Sequence, residues 1–231
     1  LSGSEKVNKE NLPEVITAVK KENKAIVAPK RMRVTYTLTV DTNAVPAGKL
    51  VRCWLPYPRT DQARQRDVKF ISASEPDYVL SPQECRHSTL YMEKRAVQGE
   101  PTVFSETFEY TSCGEWHNLR AEDVLPYDTT TALYKEYTAE REKHIVFSPR
   151  LRELAAKLTA GETNPYLKAK RIFRWINDHF PWASAREYST IENIPEYVLD
   201  NRHGDCGQVS LLFITLCRIS GIPAHFQSGF M

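Results

Sequence analysis

The spacing of apolar side chains differs between the two main parts of this chain. Over residues 32–40 apolar and polar side chains alternate at every second position, which is typical of a strand with one buried face. From Ser148 onward apolar residues recur every three or four positions, which is typical of helices that bury one face. The pattern therefore predicts an α+β protein in which a β-rich part precedes a helical part.

The β-rich part is predicted from short alternating segments that are separated by loops bearing proline or glycine. Several antiparallel strands at this spacing favour a β-sandwich-like domain. A short amphipathic helix is predicted before them, because residues 11–24 carry apolar side chains at helical spacing. The predicted strands cover residues 32–40, 50–55, 68–74, 88–94 and 103–110.

Polar capping residues mark the helix starts in the second part. Ser148-Pro149 and Asn164-Pro165 each combine an N-cap residue with proline in the first helical turn, and Asn193 marks a third start. The last predicted helix covers residues 207–220. Its apolar side chains face several directions, so we expect it to be central and buried, with a strand beginning at Ile222.

These patterns divide the chain into three parts. We assign residues 1–29 to an N-terminal helix and linker, residues 30–144 to the β-sandwich-like domain with a connector, and residues 145–231 to the helical core. The 31 basic and 29 acidic side chains leave a formal net charge of +2, which gives no reason to expect a nucleic-acid partner. No apolar run approaches the roughly 18 residues of a membrane-spanning helix, so no span is predicted. The oligomeric state is left open.

The five cysteines form no C-x-x-C pair and are odd in number, so no disulfide framework is predicted. One disulfide bond between two of the residues Cys53, Cys85 and Cys113 remains an open alternative. The cysteine and histidine pairs are scattered and lack the paired short spacings of structural zinc, so we predict neither a metal nor another cofactor.

Cys206 is the strongest candidate for chemistry. It stands between Gly204-Asp205 and Gly207, at the start of the last predicted helix. Free N–H groups and the helix dipole stabilise a thiolate at such a position, and the N–H of Cys206 is a candidate donor to an oxyanion. The alternative is a small buried cysteine at a helix cap. Cys217, later in the same helix and without flanking glycines, is predicted to be a packing residue.

Four short motifs, in order, carry a family resemblance. They are Gly204-Asp-Cys-Gly-Gln, Leu212-Phe, Leu216-Cys-Arg and Gly221-Ile-Pro-Ala, preceded by Ala169-Lys-Arg-Ile-Phe-Arg-Trp-Ile. With these motifs, residues 145–231 resemble the core of the transglutaminase-like superfamily, a relative of papain-type cysteine proteases. A β-rich domain before this core resembles microbial, and in particular bacterial, members.

The resemblance implies a cysteine-dependent acyl-transfer enzyme with Cys206 as the nucleophile. The thiolate would attack a carboxamide or peptide carbonyl and form a thioester, which water or an amine then resolves. For this domain order we expect hydrolysis of a peptide or amide bond in a peptide or protein substrate outside the cytoplasm, with cell-wall peptide as one candidate. The alternatives are a protein-crosslinking transglutaminase and a non-catalytic binding or scaffolding module that keeps the fold.

The resemblance also implies where the other groups lie. Trp182 stands near the place of an aromatic residue that lines the acyl cleft in the family, and Gln208 follows the cysteine closely, so both are predicted to bind substrate. In the family the histidine and the aspartate lie on strands beyond this helix, and the sequence reaches Met231 before either. We therefore assign none of the six histidines as the base and expect a truncated or split polypeptide that is nearly inactive by itself.

Overall fold

The chain forms two compact units in a computed structural model, Leu1–His117 and Asn118–Met231. The structure describes residues 3–85, 87–184 and 186–227. Within those residues the first unit holds the strands and one helix, and the second unit holds the other helices. The predicted α+β class is confirmed, whereas the predicted divisions after residues 29 and 144 stay predictions.

The first unit contains two antiparallel sheets of three strands each among its described residues. The strand order is β1-β6-β3 in one sheet and β2-β5-β4 in the other. The elements are α1 (Gly3–Glu22), β1 (Ile26–Val40), β2 (Leu50–Pro56), β3 (Gln65–Ala73), β4 (Tyr78–Leu80), β5 (Thr89–Arg95) and β6 (Thr102–Glu115).

The predicted N-terminal helix is present and packs on the first sheet. α1 begins at Gly3, earlier than the pattern predicted, and buries Val15. A Cβ on Gly114 of β6 would lie 2.4 Å from a methyl carbon of Val15. Glycine at this position therefore allows the helix to approach the strand closely.

Side chains from both sheets form one apolar core in the first unit. Cys53 and Leu55 of β2, Leu90 and Met92 of β5, and Phe104 of β6 form this cluster. Alternation puts every second residue of β6 inside, as expected for a strand with one buried face. The face-to-face sheets confirm the β-sandwich-like architecture.

Glu106 breaks the apolar pattern of β6. Its side chain is fully buried, and neither carboxyl oxygen has a hydrogen-bond partner. Burial raises the pKa of this carboxyl to about 7, because the interior disfavours its charged form. Burial, and then the charge of Glu106, also raise the pKa values of Cys53 and Tyr57. Glu106 is thus a titratable group inside the sandwich.

The helices of the second unit begin where the capping signals predicted. The Ser148 hydroxyl accepts from Leu151 N, and the Asn164 side chain accepts from Leu167 N. Asn193 caps the following helix in the same way. The helices are α2 (Ala132–Thr138), α3 (Pro149–Leu158), α4 (Pro165–His179), α5 (Ile194–Asn201) and α6 (Cys206–Ile219), with short 3-10 turns at Ala121–Asp123 and Tyr188–Thr190.

The last helix, α6, is the centre of the second unit. Its Leu212 and Leu216 are fully buried and pack with Leu151 of α3, Ile172 of α4 and Val198 of α5. Because α6 contacts four neighbouring helices, α2, α3, α4 and α5, it needs apolar side chains on more than one face, as its sequence indicated.

A buried arginine fastens the segment that follows α6. Arg218 donates to Ala224 O and to Ala139 O, both at 2.8 Å, and its guanidinium carbon lies 5.9 Å from the ring centre of Tyr137. Ala224 N donates in turn to Tyr137 O at 3.0 Å. The strand expected here is not formed within residues 222–227, because these contacts tie the segment to the end of α2 rather than to a strand.

Candidate active site

Cys206 is the first residue of α6, and its side chain is exposed. The helix behind it is buried, so the thiol stands at the solvent end of a rigid element. Free N–H groups of the first turn lie around a residue in this position and favour an anion there. Cys206 therefore lies at the helix N-terminus that the sequence predicted, and its role as a nucleophile stays a prediction.

A capping box fixes the turn that carries the cysteine. Asp205 is the N-cap residue, and its Oδ1 accepts from Gln208 N at 2.8 Å. The Gln208 Oε1 accepts from Asp205 N at 3.3 Å, which closes the reciprocal pair. The spacing Asp-x-x-Gln is the signal in the sequence that indicates this box.

Gln208 is completely buried, and both ends of its amide are engaged. Besides the bond to Asp205 N, its Nε2 donates to Arg186 O at 3.3 Å. These bonds join the start of α6 to the preceding loop. Substrate contact by Gln208 stays a prediction.

A tyrosine that sequence reasoning did not select also holds the cap. The Tyr188 hydroxyl donates to Oδ1 of Asp205. Burial, above all, and the bond to the Asp205 carboxylate raise the pKa of Tyr188, and the charge of Cys206 acts in the same direction. Tyr188 therefore keeps its proton at neutral pH and remains a donor. No local pattern in the sequence pointed to it.

The two glycines beside the cysteine leave room for neighbouring side chains. A Cβ on Gly207 would lie 2.2 Å from the Tyr188 oxygen. A Cβ on Gly204 would lie 3.1 Å from Gln208 Oε1 and 3.2 Å from a methyl carbon of Val198. A side chain at Gly207 would displace the Tyr188 hydroxyl, whereas a side chain at Gly204 would require its neighbours to move by only a few tenths of an ångström.

Trp182 lies beside the cysteine loop. Its backbone forms an isolated parallel bridge with Gly204, and Ala183 N donates to Gly204 O at 3.0 Å. The indole is 70% exposed. The structure thus places the backbone of Trp182 beside Gly204, two residues before Cys206, although binding by Trp182 stays a prediction.

Cys217 differs from Cys206 in its burial, as the sequence predicted. It is buried in the core, and burial raises the pKa of its thiol to about 12. All five cysteines are free, so the bridge left open among Cys53, Cys85 and Cys113 is not formed.

Three histidine rings of the second unit, those of His179, His203 and His225, form hydrogen bonds with nearby backbone. Nδ1 of His179 pairs with Trp175 O at 2.7 Å, and Nδ1 of His203 pairs with Asn201 O at 2.8 Å. Across residues 3–85, 87–184 and 186–227, no hydrogen bond joins a histidine ring to Cys206. Met231, where the printed sequence ends, lies outside the described residues.

Neither a metal-ligand cluster nor a membrane-spanning helix is found in the same described residues. No group of three or more histidine, cysteine, aspartate or glutamate side chains there is placed to hold a metal ion. No helix in the described part of the chain has the length and apolar character to cross a membrane.

Residues 152–231 match the family model described as the transglutaminase-like superfamily. This part of the chain is similar to that superfamily. The match includes Cys206, Trp182 and the whole of α6, so the transglutaminase-like core carries all of the site described above.

The fold has a counterpart among solved structures. A crystal structure described as "a Putative Cysteine Protease" from Cytophaga hutchinsonii matches with a TM-score of 0.64 at 17% sequence identity, over 86% of this chain. The present chain spans 66% of that protein's length. At this identity the likeness shows the fold. No curated protein matches the chain.

Proposed function

We propose that the protein is a cysteine-dependent acyl-transfer enzyme that hydrolyses peptide or amide bonds through Cys206. One observation carries the proposal. Within a transglutaminase-like core, the thiol of Cys206 is exposed at the N-terminus of a buried helix, whereas Cys217 of the same helix is buried. Position in the fold therefore separates a reactive sulfur from a packing one.

The proposed reaction has two steps. The Cys206 thiolate attacks the carbonyl carbon, a carbon–sulfur bond forms, and the carbonyl electrons move to an oxyanion near the free N–H groups of the first turn. The oxyanion collapses, the carbon–nitrogen bond breaks, and the amine leaves with the proton that the thiol gave up. Water then attacks the thioester, which releases the acid and restores the thiol.

The substrate side of the proposal rests on Trp182. Trp182 is exposed on the segment bridged to Gly204, and we propose that its indole contacts the acyl part of a peptide or protein. The description of the Cytophaga hutchinsonii protein as "a Putative Cysteine Protease" favours water over an amine as the acceptor. We further propose a bacterial protein that acts outside the cytoplasm, with cell-wall peptide as a candidate substrate.

Acyl transfer to the sulfur is the direct test. The natural full-length protein and residues 1–231 are treated with p-nitrophenyl acetate, and peptide mapping by mass spectrometry locates the acetyl thioester. We expect it on Cys206 and not on Cys217. Cys85 is the matched control, because it is equally free and exposed but lies outside any helix. Release of p-nitrophenol should stop in Cys206→Ala and persist in Cys85→Ala.

Other outcomes would favour other functions. Equal acetylation of Cys85 and Cys206 in both proteins would refute the nucleophile and favour a binding module. A thioester on Cys206 that added amines resolve much faster than water does would favour a crosslinking transglutaminase.

A further inference from the structure

We propose that Tyr188 is a positioning residue that holds the Asp205 cap and thereby sets the reactivity of Cys206. This inference rests on the proposed function, since it concerns the same thiol. Tyr188 lies in the 3-10 turn Tyr188–Thr190, well before α6 in the chain, and reaches the cap through its hydroxyl.

The hydrogen bonds around Asp205 support this role. Its Oδ1 receives two donors, the Tyr188 hydroxyl and Gln208 N. A carboxylate repels the negative charge of a neighbouring thiolate. Hydrogen bonds donated to the carboxylate weaken this repulsion and hold the carboxylate in place. Without the tyrosine hydroxyl, the carboxylate keeps one donor of the two, so its charge is less compensated and its position is less fixed.

The glycine at position 207 independently supports the positioning role of Tyr188. Gly207 lies within α6 and is not among the residues with positive φ, so its backbone conformation does not require glycine. Alanine is the more favourable residue in a helix by about 1 kcal/mol. A Cβ at Gly207 would, however, lie 2.2 Å from the Tyr188 oxygen and 3.2 Å from Cζ. The glycine is thus explained by the room that the tyrosine needs.

These contacts couple Tyr188 and Gly207. Tyr188→Phe removes the hydroxyl but keeps the ring, and Gly207→Ala keeps the hydroxyl but displaces it from the cap. Both changes should weaken the same bond to Asp205. In the double variant the second change should add little, because the bond is already lost.

The experiment follows alkylation of Cys206 by iodoacetamide between about pH 6 and pH 9, resolved by peptide mass spectrometry. For Tyr188→Phe we expect alkylation at pH 7 to slow about threefold and the midpoint of the pH profile to rise by about half a unit, which are equivalent changes. Gly207→Ala should show the same shift. Tyr197→Phe is the matched control, because Tyr197 packs against the same core and should leave the profile unchanged.

The pH profile separates positioning from general stability. Thermal unfolding is measured on each variant, and a merely structural role would lower the unfolding temperature without moving the midpoint. An unchanged midpoint in Tyr188→Phe overturns the inference, as does full additivity in the double variant. Failure of the proposed function looks different, because wild-type Cys206 would then react no faster than Cys85 at any pH.

Discussion

Trp182 is joined to Gly204 by a parallel backbone bridge, two residues before Cys206. The contact uses main-chain atoms, and the indole itself is 70% exposed. The bridge therefore holds residue 182 next to the cysteine loop whatever its side chain is. An exposed tryptophan held in place by backbone is suited to contact a ligand rather than to stabilise a core.

Replacing Trp182 by alanine should affect acyl transfer more than stability. An aromatic contact contributes about 1 kcal/mol, so acylation of Cys206 by p-nitrophenyl phenylacetate should slow about threefold to tenfold. Acylation by the acetate ester, which lacks the ring in its acyl group, should change less. The free energy of unfolding should stay within about 0.5 kcal/mol of wild type.

Trp54→Ala is the matched control for Trp182, because Trp54 is also exposed but lies on β2 of the first unit. It should leave both acylation rates unchanged. Equal rates for Trp182→Ala and wild type with the phenylacetyl ester would remove Trp182 from the proposed acyl site.

Glu106 should make the stability of the first unit depend on pH. Its pKa is about 7 in the folded protein and 4.5 for a free side chain, so the folded state binds the proton more tightly. The stabilisation is complete below pH 4.5 and is lost as the pH rises towards 7, by about 1 kcal/mol per pH unit. Urea unfolding as a function of pH, with wild type compared to Glu106→Gln, should show this slope in wild type alone.

Glu109→Gln is the control for Glu106, because Glu109 lies on the same strand. The pKa shift of Glu109 has the opposite sign, so its effect on stability depends on pH in the opposite direction. The bond from Arg31, and the charges of Arg33 and Arg31, lower the pKa of Glu109. Its contribution to stability is therefore present at neutral pH and lost as the pH falls. A wild-type profile that matches that of Glu106→Gln from pH 4.5 to 7 would contradict the burial of a titrating carboxyl.

Gln208→Ala should destabilise the second unit. The change leaves Asp205 N and Arg186 O without their buried partner and opens a cavity, at a cost of about 2 to 3 kcal/mol. Urea unfolding measures this loss. Glu153→Ala, on an exposed position of α3, should change the free energy of unfolding by less than about 0.5 kcal/mol. A Gln208→Ala variant as stable as wild type would show that the bonds of the amide contribute nothing.

Where the local sequence signals were strong, they predicted the helices and strands well. The caps at Ser148, Asn164 and Asn193 and the alternation along β6 depend on residues within a few positions of one another, so the sequence is enough to predict them. β4 was missed, because its residues, Tyr78–Leu80, are all exposed and show no alternation. Only pairing with β5 makes this segment a strand.

The sequence by itself determined that Cys206 lies between two glycines and begins a helix, because a helix and its cap are local structures. The tertiary structure alone decided that Tyr188 donates to Asp205, why Gly207 must lack a side chain, and that the Glu106 carboxyl is buried without a partner. These facts depend on residues that are far apart in the chain and meet only when the elements pack. No pattern of neighbours in the sequence encodes such contacts, since the space and the bonding groups come from other elements.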